Sequence, residues 1–269
     1  MLKALLSAFD PRTSPATRGW REQRYARWFS KPEAYPSFRG TYQSMQQAAL
    51  AAPATLALGC ESASYADHHV DRVNKVYLHD YPVMLWLSRL LPSASHVFDL
   101  GGNVGIHYLS YRKYVAYPAG IRWTVCDVPN VIAVGQRLAA ELDAPGLEFG
   151  TAFELASGAD VLLSSGTIQY LDWDLSERLA GLPAKPRHLF LNKLPLYDGK
   201  EYVTLQNARV AFLPYRAFNR TQFIGSLSQA GYELVDTWDV PGFTCGDPFR
   251  PEVHIPSFTG LYAALRGAT

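Results

Sequence analysis

Short apolar runs alternate with stretches of helical spacing over the part of the chain that follows residue 95. Five of these runs have the length and the flanking turn residues that are typical of buried strands. They cover residues 97–100, 122–127, 146–150, 159–166 and 188–194. Apolar residues also recur at near-helical spacing over 106–115. Strands that alternate with helices predict an α/β fold with a Rossmann-like, doubly wound and mostly parallel sheet.

The end of the chain has a different pattern. Asn219 is followed by a predicted helix through residue 230, which Gly231 closes. Residues 232–240 and 259–266 then alternate as two strands with no long helix between them. This order predicts an antiparallel hairpin at the C-terminal edge of the sheet.

The part of the chain before the first strand favours helices. Residues 41–52 are rich in Gln and Ala, and residues 81–91 form an apolar stretch that ends at Pro92. Residues 11–40 are basic and aromatic, which is typical of an arm packed on its own domain or of a surface that meets an anionic substrate, a lipid surface or another subunit. We therefore expect an N-terminal helical extension or cap over 1–94 and a binding domain over 95–269.

Two segments of the predicted binding domain are longer than ordinary connections. Residues 196–218 and 241–258 contain many aromatic residues and several prolines. Because functional groups concentrate in long surface segments, we interpret both as insertions that contribute to a site.

Composition limits the choice of partners. The chain has 269 residues, with 25 Lys and Arg against 24 Asp and Glu, so no overall positive field attracts nucleic acid. The three cysteines lie far apart and lack metal-ligand spacing, which favours a reduced, cytoplasmic setting. No run reaches the roughly 18 apolar residues that a membrane span requires. His68, His69 and His79 belong to no complete ligand pattern, so we expect no metal and a solvated or substrate-facing helix instead.

The strongest local signal is the glycine-rich turn after the first strand. Asp99 to Gly105 has the pattern D-x-G-G-N-x-G. Glycine permits a close approach of a ligand to the backbone, and Asn103 tolerates a left-handed conformation. No Lys followed by Ser or Thr completes a P-loop, and the pattern is not a regular G-x-G-x-x-G. The turn predicts a nucleotide cofactor, although a dinucleotide site and a turn without a ligand remain alternatives.

An acid at the end of the second strand supports the cofactor prediction. Asp127 would lie beside the glycine turn in a doubly wound sheet, where a carboxylate accepts hydrogen bonds from ribose hydroxyls. It also precedes Pro129 at the start of a helix, so a role at the helix N-terminus is the simpler alternative, and both roles are compatible.

These motifs resemble those of known enzymes. Asp99 to Gly105 resembles motif I of the class I S-adenosylmethionine (SAM) dependent methyltransferases, with Asn103 where many members have Gly. The D-V-P-N-V-I run from Asp127 resembles a segment of small-molecule O-methyltransferases. The patterns G-x-Y-x-S from Gly40, F-x-P-Y-R-x-F-N-R from Phe212 and C-x-x-P-F-x-P-E from Cys245 resemble a bacterial methyltransferase family commonly associated with cell-surface polysaccharide genes.

The resemblance implies a SAM-dependent methyltransferase that modifies a small-molecule or sugar-containing acceptor, with O-methylation as the expected reaction. Tyr42 would then lie near the cofactor. The expected cofactor-binding residues are Asp99, Gly101, Gly102, Asn103, Gly105, Asp127, Val128, Ala152, Phe153, Ser164, Ser165 and Gly166. The expected acceptor-side residues are Tyr170, Asp172, Asn192, Lys193 and Arg216.

An oxygen acceptor would benefit from a general base, and the candidates are His107, Tyr215 and His254. His107 is placed best, since it follows Gly105 by two positions, but it could equally pack beneath the turn. Catalysis by proximity alone needs no base. An NAD-dependent epimerase or dehydrogenase and a non-catalytic SAM-binding or assembly module remain alternative functions. The sequence leaves the oligomeric state open, with a homodimer among the options.

Overall fold

The structure is a computed structural model and describes residues 17–59 and 70–267. Its strands are β1 (Ser37–Tyr42), β2 (Ala57–Leu58), β3 (His96–Leu100), β4 (Arg122–Cys126), β5 (Leu147–Gly150), β6 (Val161–Ser165), β7 (His188–Leu194), β8 (Leu196–Tyr197), β9 (Tyr202–Asn207), β10 (Ala211–Asn219), β11 (Tyr232–Val240) and β12 (Phe258–Leu265). The helices are α1 (Arg18–Phe29), α2 (Met45–Leu50), α3 (Tyr81–Leu90), α4 (Ile106–Tyr111), α5 (Pro129–Glu141), α6 (Leu175–Ala180) and α7 (Arg220–Gln229).

A seven-stranded sheet with the order β11-β12-β7-β6-β3-β4-β5 forms the centre of the molecule. Its central strands pair in parallel, and β12 runs antiparallel to both β7 and β11. Every residue of β3, β6 and β7 is buried, because layers cover both faces of the sheet. This burial explains the continuous apolar runs in the sequence. The predicted fold class and the C-terminal hairpin are confirmed.

The sheet order also determines where a site can form. The chain passes from β3 outward to β4 and β5, and then returns to the other side of β3 as β6. The connections that follow β3 and β6 therefore lead to opposite sides of the sheet. The carboxyl ends of these two strands form a switch point, where doubly wound folds bind their ligands.

A second, smaller sheet was not predicted. It has the order β1-β9-β10-β2, and β8 pairs with β10 away from this path. Ser37 of β1 lies opposite Asn207 of β9, so the N-terminal segment pairs with the insertion that we expected over 196–218. The helix predicted over 41–52 covers only Met45–Leu50, where Ser44 caps it by accepting a hydrogen bond from the Gln47 amide at 3.1 Å.

The basic and aromatic N-terminal segment packs against the second sheet. The Tyr25 hydroxyl of α1 donates a hydrogen bond of 2.7 Å to the backbone carbonyl of Phe38, and the wholly buried Phe29 stacks on Phe212. The arrangement agrees with an arm held on its own domain. Trp20 and Trp28 remain exposed.

Two findings on the described residues concern membranes and metal ions. None of the helices in the described ranges combines the length and apolarity that crossing a membrane requires. Across residues 17–59 and 70–267, no group of three or more His, Cys, Asp or Glu side chains is arranged to hold a metal ion. His68 and His69 lie outside the described residues. The division into an extension over 1–94 and a binding domain over 95–269 stays a prediction.

Candidate functional site

A cavity of about 1670 Å³ lies at the carboxyl ends of β3, β4, β6 and β7. The second sheet lies across it and contributes residues of β1, β9 and β10 to its lining. The site is thus enclosed by two sheets, of which the sequence predicted one.

The glycine turn forms part of the cavity wall. Gly101 has φ +69°, and a Cβ atom at this position would lie 2.0 Å from Thr167 Oγ1. A Cβ on Gly102 would lie 2.5 Å from the Asp99 carboxylate, and Asn103 has φ 57°. These three turn residues line the cavity. Gly105, with φ +89°, instead packs against Leu147, where a Cβ would lie 2.6 Å from Cδ2.

Asp99 lies beneath the turn rather than in the cavity. Its side chain is wholly buried and its carboxylate accepts a hydrogen bond of 3.2 Å from Trp123 Nε1. His107 Nδ1 lies 2.9 Å from Asp99 Oδ2, and since a carboxylate only accepts, the imidazole must donate. The prediction that Asp99 contacts the cofactor directly is therefore corrected: the carboxylate supports the turn and orients His107.

His107 occupies an intermediate position between the two roles expected from the sequence. It is only 7% exposed and packs against Tyr111, yet it lines the cavity. Because Nδ1 donates to Asp99, Nε2 is the ring atom that can accept a proton. The Asp99–His107 pair has the arrangement of an oriented general base.

Asp127 lies at the end of β4 and lines the cavity. Its carboxylate accepts hydrogen bonds from the backbone amides of Asn103 at 2.9 Å and Val128 at 2.8 Å. Burial raises the pKa of this carboxyl to about 6, and the two amide hydrogen bonds oppose that effect. Each oxygen retains acceptor capacity, so the group can accept hydrogen bonds from ligand hydroxyls.

The wall beyond Asp127 is mostly apolar. Val128, Ala152 and Phe153, three of the residues predicted to bind a cofactor, all line the cavity. The Phe153 ring is fixed by edge contacts with Phe98 at 5.9 Å and Trp173 at 5.3 Å. A flat apolar wall next to a carboxylate suits the ring and the ribose of a nucleoside.

The three residues predicted at the end of β6 have different roles. Ser165 and Gly166 line the cavity. Ser164 does not, because its side chain is wholly buried and its hydroxyl donates a hydrogen bond of 3.0 Å to the Leu100 carbonyl. The prediction for Ser164 is therefore wrong, and the residue joins β6 to β3.

Only two of the predicted acceptor-side residues face the cavity, namely Tyr170 and Lys193. Tyr170 donates a hydrogen bond of 2.8 Å to Gln206 of the second sheet. Asp172 is exposed and lies outside the lining. The predicted acceptor contact of Asp172 is therefore not observed.

Asn192 and Arg216 have structural roles instead of the predicted contacts. Asn192 is wholly buried, and its side-chain amide donates a hydrogen bond to the His79 carbonyl and accepts one from Trp238 Nε1. The Arg216 guanidinium donates a hydrogen bond of 2.8 Å to Asp174 and lies 3.9 Å from Glu201. Neither residue lines the cavity.

The other two candidate bases both line the cavity, but their environments differ. Tyr215 is buried, and burial raises the pKa of its phenol well above the usual value, so the phenol stays protonated at neutral pH. A phenol in this environment is a weaker candidate for a general base than His107, and a catalytic role for Tyr215 stays a prediction. His254 is exposed at the rim.

Tyr42, which we expected near the cofactor, packs with Phe29 and Phe212 and does not reach the cavity.

Several cavity atoms lack a hydrogen-bond partner among the described residues. They are His79 Nε2, Ser165 Oγ and Gln169 Oε1, and all three are buried. Because buried polar atoms are normally satisfied, these atoms suit a polar ligand. His79 was not among the predicted site residues, and the signal that could have identified it is its position in a polar stretch just before an apolar helix.

Solved structures with a similar architecture include 1,6-didemethyltoxoflavin N1-methyltransferase of Burkholderia thailandensis, with 1,6-didemethyltoxoflavin and S-adenosylhomocysteine bound. It has a TM-score of 0.50 and 18% identity, with 76% of this chain and 84% of that chain covered. SAM-dependent methyltransferases of Listeria monocytogenes (TM-score 0.48, 14% identity, 69% and 99% covered) and Aquifex aeolicus (TM-score 0.48, 15% identity, 76% and 98% covered) are also similar.

No protein family model matches the chain, and no protein of curated function matches its sequence. The comparison with the Burkholderia structure shows the fold: this chain has a Rossmann-like methyltransferase architecture with an antiparallel C-terminal strand pair. The resemblance found in the sequence motifs thus extends to the fold.

Proposed function

We propose that this protein is a SAM-dependent methyltransferase that acts on a small-molecule or saccharide acceptor, with oxygen as the methylated atom. The observation that carries the proposal is the Asp127 carboxylate. It lies at the cavity wall beside the glycine turn, and the amides of Asn103 and Val128 hold it there. This is the place where a doubly wound fold holds a ribose.

The residues around Asp127 fit the rest of the cofactor. Gly101 and Gly102 line the cavity with backbone and no side chain, so the amino acid end of SAM can approach the turn closely. A Cβ on either residue would clash with Thr167 or Asp99, so this turn requires glycine. Phe153 and Val128 provide an apolar wall for the adenine. The unpartnered Ser165 hydroxyl offers a further hydrogen bond at the floor.

The cavity has room for an acceptor beside the cofactor. Its volume of about 1670 Å³ exceeds the roughly 300–1,000 Å³ of ordinary ligand pockets. Tyr170, Tyr215 and Phe243 line it with aromatic surface and two hydroxyls, which suits a sugar ring or another flat small molecule. A polysaccharide-related acceptor, a cytoplasmic setting and a homodimer remain predictions.

The bound cofactor would supply an activated methyl group. The protein must hold the acceptor in line with that group and exclude water, and the second sheet serves both purposes by covering the cavity. His107 Nε2 would accept the hydroxyl proton as the new bond forms, while Asp99 keeps the proton of the resting imidazole on Nδ1.

Calorimetric titration with S-adenosylhomocysteine and with NAD tests the cofactor. We expect S-adenosylhomocysteine to bind, and Asp127→Asn to weaken it by about 10- to 100-fold, because charge-assisted hydrogen bonds are lost. Asp172→Asn is the matched control, since Asp172 is exposed and outside the cavity. Binding of NAD in place of S-adenosylhomocysteine would overturn the proposal.

A second experiment separates a catalyst from a binder. The protein is incubated with methyl-labelled SAM and a panel of monosaccharides, nucleotide sugars and small hydroxylated acids. A methyltransferase transfers the label to one class of acceptor. A module that binds SAM without turnover transfers none, even when calorimetry shows tight binding.

A further inference from the structure

Lys193 is a buried lysine that faces the candidate site. Lys193 is 9% exposed and lines the cavity at the end of β7. None of the residues in the described ranges gives its ammonium group a hydrogen bond or an ion pair. Burying an unpaired ammonium is costly, so a position of this kind is better explained by a ligand than by stability.

The local backbone directs Lys193 into the cavity. The pairing of β12 with β7 shifts register between Thr259 and Leu261, which lie opposite Leu194 and Leu191. Lys193 lies in this irregularity with φ 58°, a left-handed conformation that is costly for a residue with a side chain. Irregular pairing of this kind changes the direction of a side chain and is common next to binding sites.

Gly166 leaves space for the Lys193 side chain. A Cβ at Gly166 would lie 3.1 Å from Lys193 Cε and 3.5 Å from Nζ. Gly166 has φ +78°, and its amide donates a hydrogen bond of 2.9 Å to the Asn192 carbonyl. Gly166, which directly follows β6, thus leaves room for the Lys193 ammonium at the cavity floor.

His79 provides a second polar group without a partner. Its Nε2 is buried, forms no hydrogen bond with the described residues, and lies 3.7 Å from Asp80 Oδ1. The ring stacks on Tyr77 at 5.5 Å and contacts the edge of Phe243 at 5.1 Å. Burial, with the charge of Lys193 next, lowers the pKa of His79 to about 4, so the ring is neutral at pH 7.

The charges around Lys193 do not neutralise it by direct contact. Burial and, next, the charge of Arg72 lower the pKa of Lys193 to about 8, although Asp80 and Asp99 oppose both effects. Arg72 lines the same cavity. A pKa near 8 leaves Lys193 mostly protonated at pH 7.

The two carboxylates near Lys193 already have other partners. Asp80 accepts hydrogen bonds from Tyr111 at 3.0 Å and from the Tyr77 amide at 2.9 Å. Asp99 is bonded to His107 and Trp123 beneath the turn. Lys193 therefore offers donors to the cavity that no acceptor in the described part of the chain satisfies, and His79 offers another in the tautomer that carries its proton on Nε2.

We propose that Lys193 and His79 form a subsite for an anionic group of the methyl acceptor, a carboxylate or a phosphate, with Arg72 adding positive charge. The substrate class is then an acidic small molecule, such as an acidic or phosphorylated sugar. This inference rests on the proposed methyltransferase function. The cofactor carries a carboxylate of its own, so the test must separate the two sources of negative charge.

The first arm measures the cofactor. Calorimetry compares S-adenosylhomocysteine with 5′-methylthioadenosine, which lacks the amino acid carboxylate, in the native protein and in Lys193→Met. We expect both affinities to stay within about twofold of the native values. A loss of about tenfold or more for S-adenosylhomocysteine alone would assign Lys193 to the cofactor carboxylate and overturn the acceptor subsite.

The second arm measures the anion. Inorganic phosphate is titrated against the native protein, with and without S-adenosylhomocysteine, and against Lys193→Met, His79→Phe and the exposed control Lys200→Met. We expect the phosphate affinity to fall by about tenfold or more in the first two variants and to stay unchanged in the control. Absence of phosphate binding to the native protein, or equal binding to all variants, would overturn the subsite.

The two proposals fail in different ways. A native protein that binds no S-adenosylhomocysteine, yet binds phosphate through Lys193, contradicts the methyltransferase and keeps the anion subsite. A native protein that transfers labelled methyl groups to neutral sugars, but not to sugar acids or sugar phosphates, keeps the methyltransferase and contradicts the subsite.

Discussion

The side-chain amide of Asn192 donates a hydrogen bond of 2.9 Å to the backbone carbonyl of His79. The same side chain accepts a hydrogen bond of 3.1 Å from Trp238 Nε1. Asn192 thus joins the end of β7, the short turn that carries His79, and β11. It precedes Lys193 in the chain, so one wholly buried residue fixes both members of the proposed anion subsite.

We expect Asn192→Ala to lower the free energy of unfolding by about 1–3 kcal/mol, because the partly buried indole N–H of Trp238 and the buried carbonyl of His79 lose their partners. The phosphate affinity should fall as well, since His79 is no longer held. Urea denaturation and calorimetry measure the two effects. Normal phosphate affinity in a destabilised variant would limit Asn192 to a purely structural role.

The raised pKa of Asp127 predicts a pH dependence for cofactor binding. Ribose hydroxyls donate to the ionised carboxylate, so the pKa of Asp127 is lower in the complex than the value of about 6 in the free protein. Affinity is therefore full above pH 6 and falls by up to about tenfold per pH unit below it.

Calorimetry of S-adenosylhomocysteine binding over the range from about pH 5 to pH 8 measures this effect. Asp127→Asn should bind weakly at every pH and show no such step. A native affinity that stays constant across the acidic range would remove Asp127 from the ribose site.

The glycine turn allows a test with a matched control. Gly101 and Gly120 both have left-handed φ angles, +69° and +77°, so a substitution by Ala strains either backbone by about 1–2 kcal/mol. Only at Gly101 does the new Cβ meet a neighbour, Thr167, whereas nothing lies within 4 Å at Gly120.

Gly101→Ala should therefore weaken S-adenosylhomocysteine binding by about tenfold or more, while Gly120→Ala leaves it unchanged. Both variants lose stability through backbone strain, and Gly101→Ala loses more because its Cβ also meets Thr167. Calorimetry and thermal unfolding provide the two measurements. Equal affinities in the two variants would mean that the turn does not contact the cofactor.

The orientation of His107 by Asp99 predicts a specific kinetic effect. His107→Gln should lower kcat by about 10²- to 10⁴-fold and leave the affinity for S-adenosylhomocysteine nearly unchanged. Asp99→Asn should also lower kcat, because an amide N–H that faces Nδ1 would move the imidazole proton to Nε2. Full activity in His107→Gln would show that alignment alone drives the reaction.

Removing the Asp99 side chain should affect stability more than binding. Asp99→Ala leaves the Trp123 indole N–H and the His107 imidazole without their buried acceptor. We expect the free energy of unfolding to fall by about 2–5 kcal/mol. A thermal midpoint equal to that of the native protein would contradict the role of Asp99 beneath the turn.

The large sheet could be predicted because each of its central strands is buried on both faces and leaves a continuous apolar run. The positions of Asp127 and Gly166 followed from the same rule, since the ends of parallel strands meet at one edge. The direction of Asp99 could not be predicted, because the pattern places a carboxylate before the glycines without showing that it points beneath them.

The second sheet was missed for a different reason. Its pairing joins Ser37 to Asn207, and no local periodicity records a contact between such distant segments. The place of Lys193 at a strand end was visible in the sequence. The irregular register that directs its side chain depends on β12, so it became apparent only in the folded chain.

The residues of the two cavity walls are synthesised at different times during translation. The glycine turn, Asp127 and Ser165 are all translated before β9, whereas β1 must wait for β9 to emerge before it can pair. The residues of the proposed nucleoside surface are therefore all present in the nascent chain while the opposite side of the cavity is still incomplete. The ability to enclose an acceptor is acquired late in synthesis.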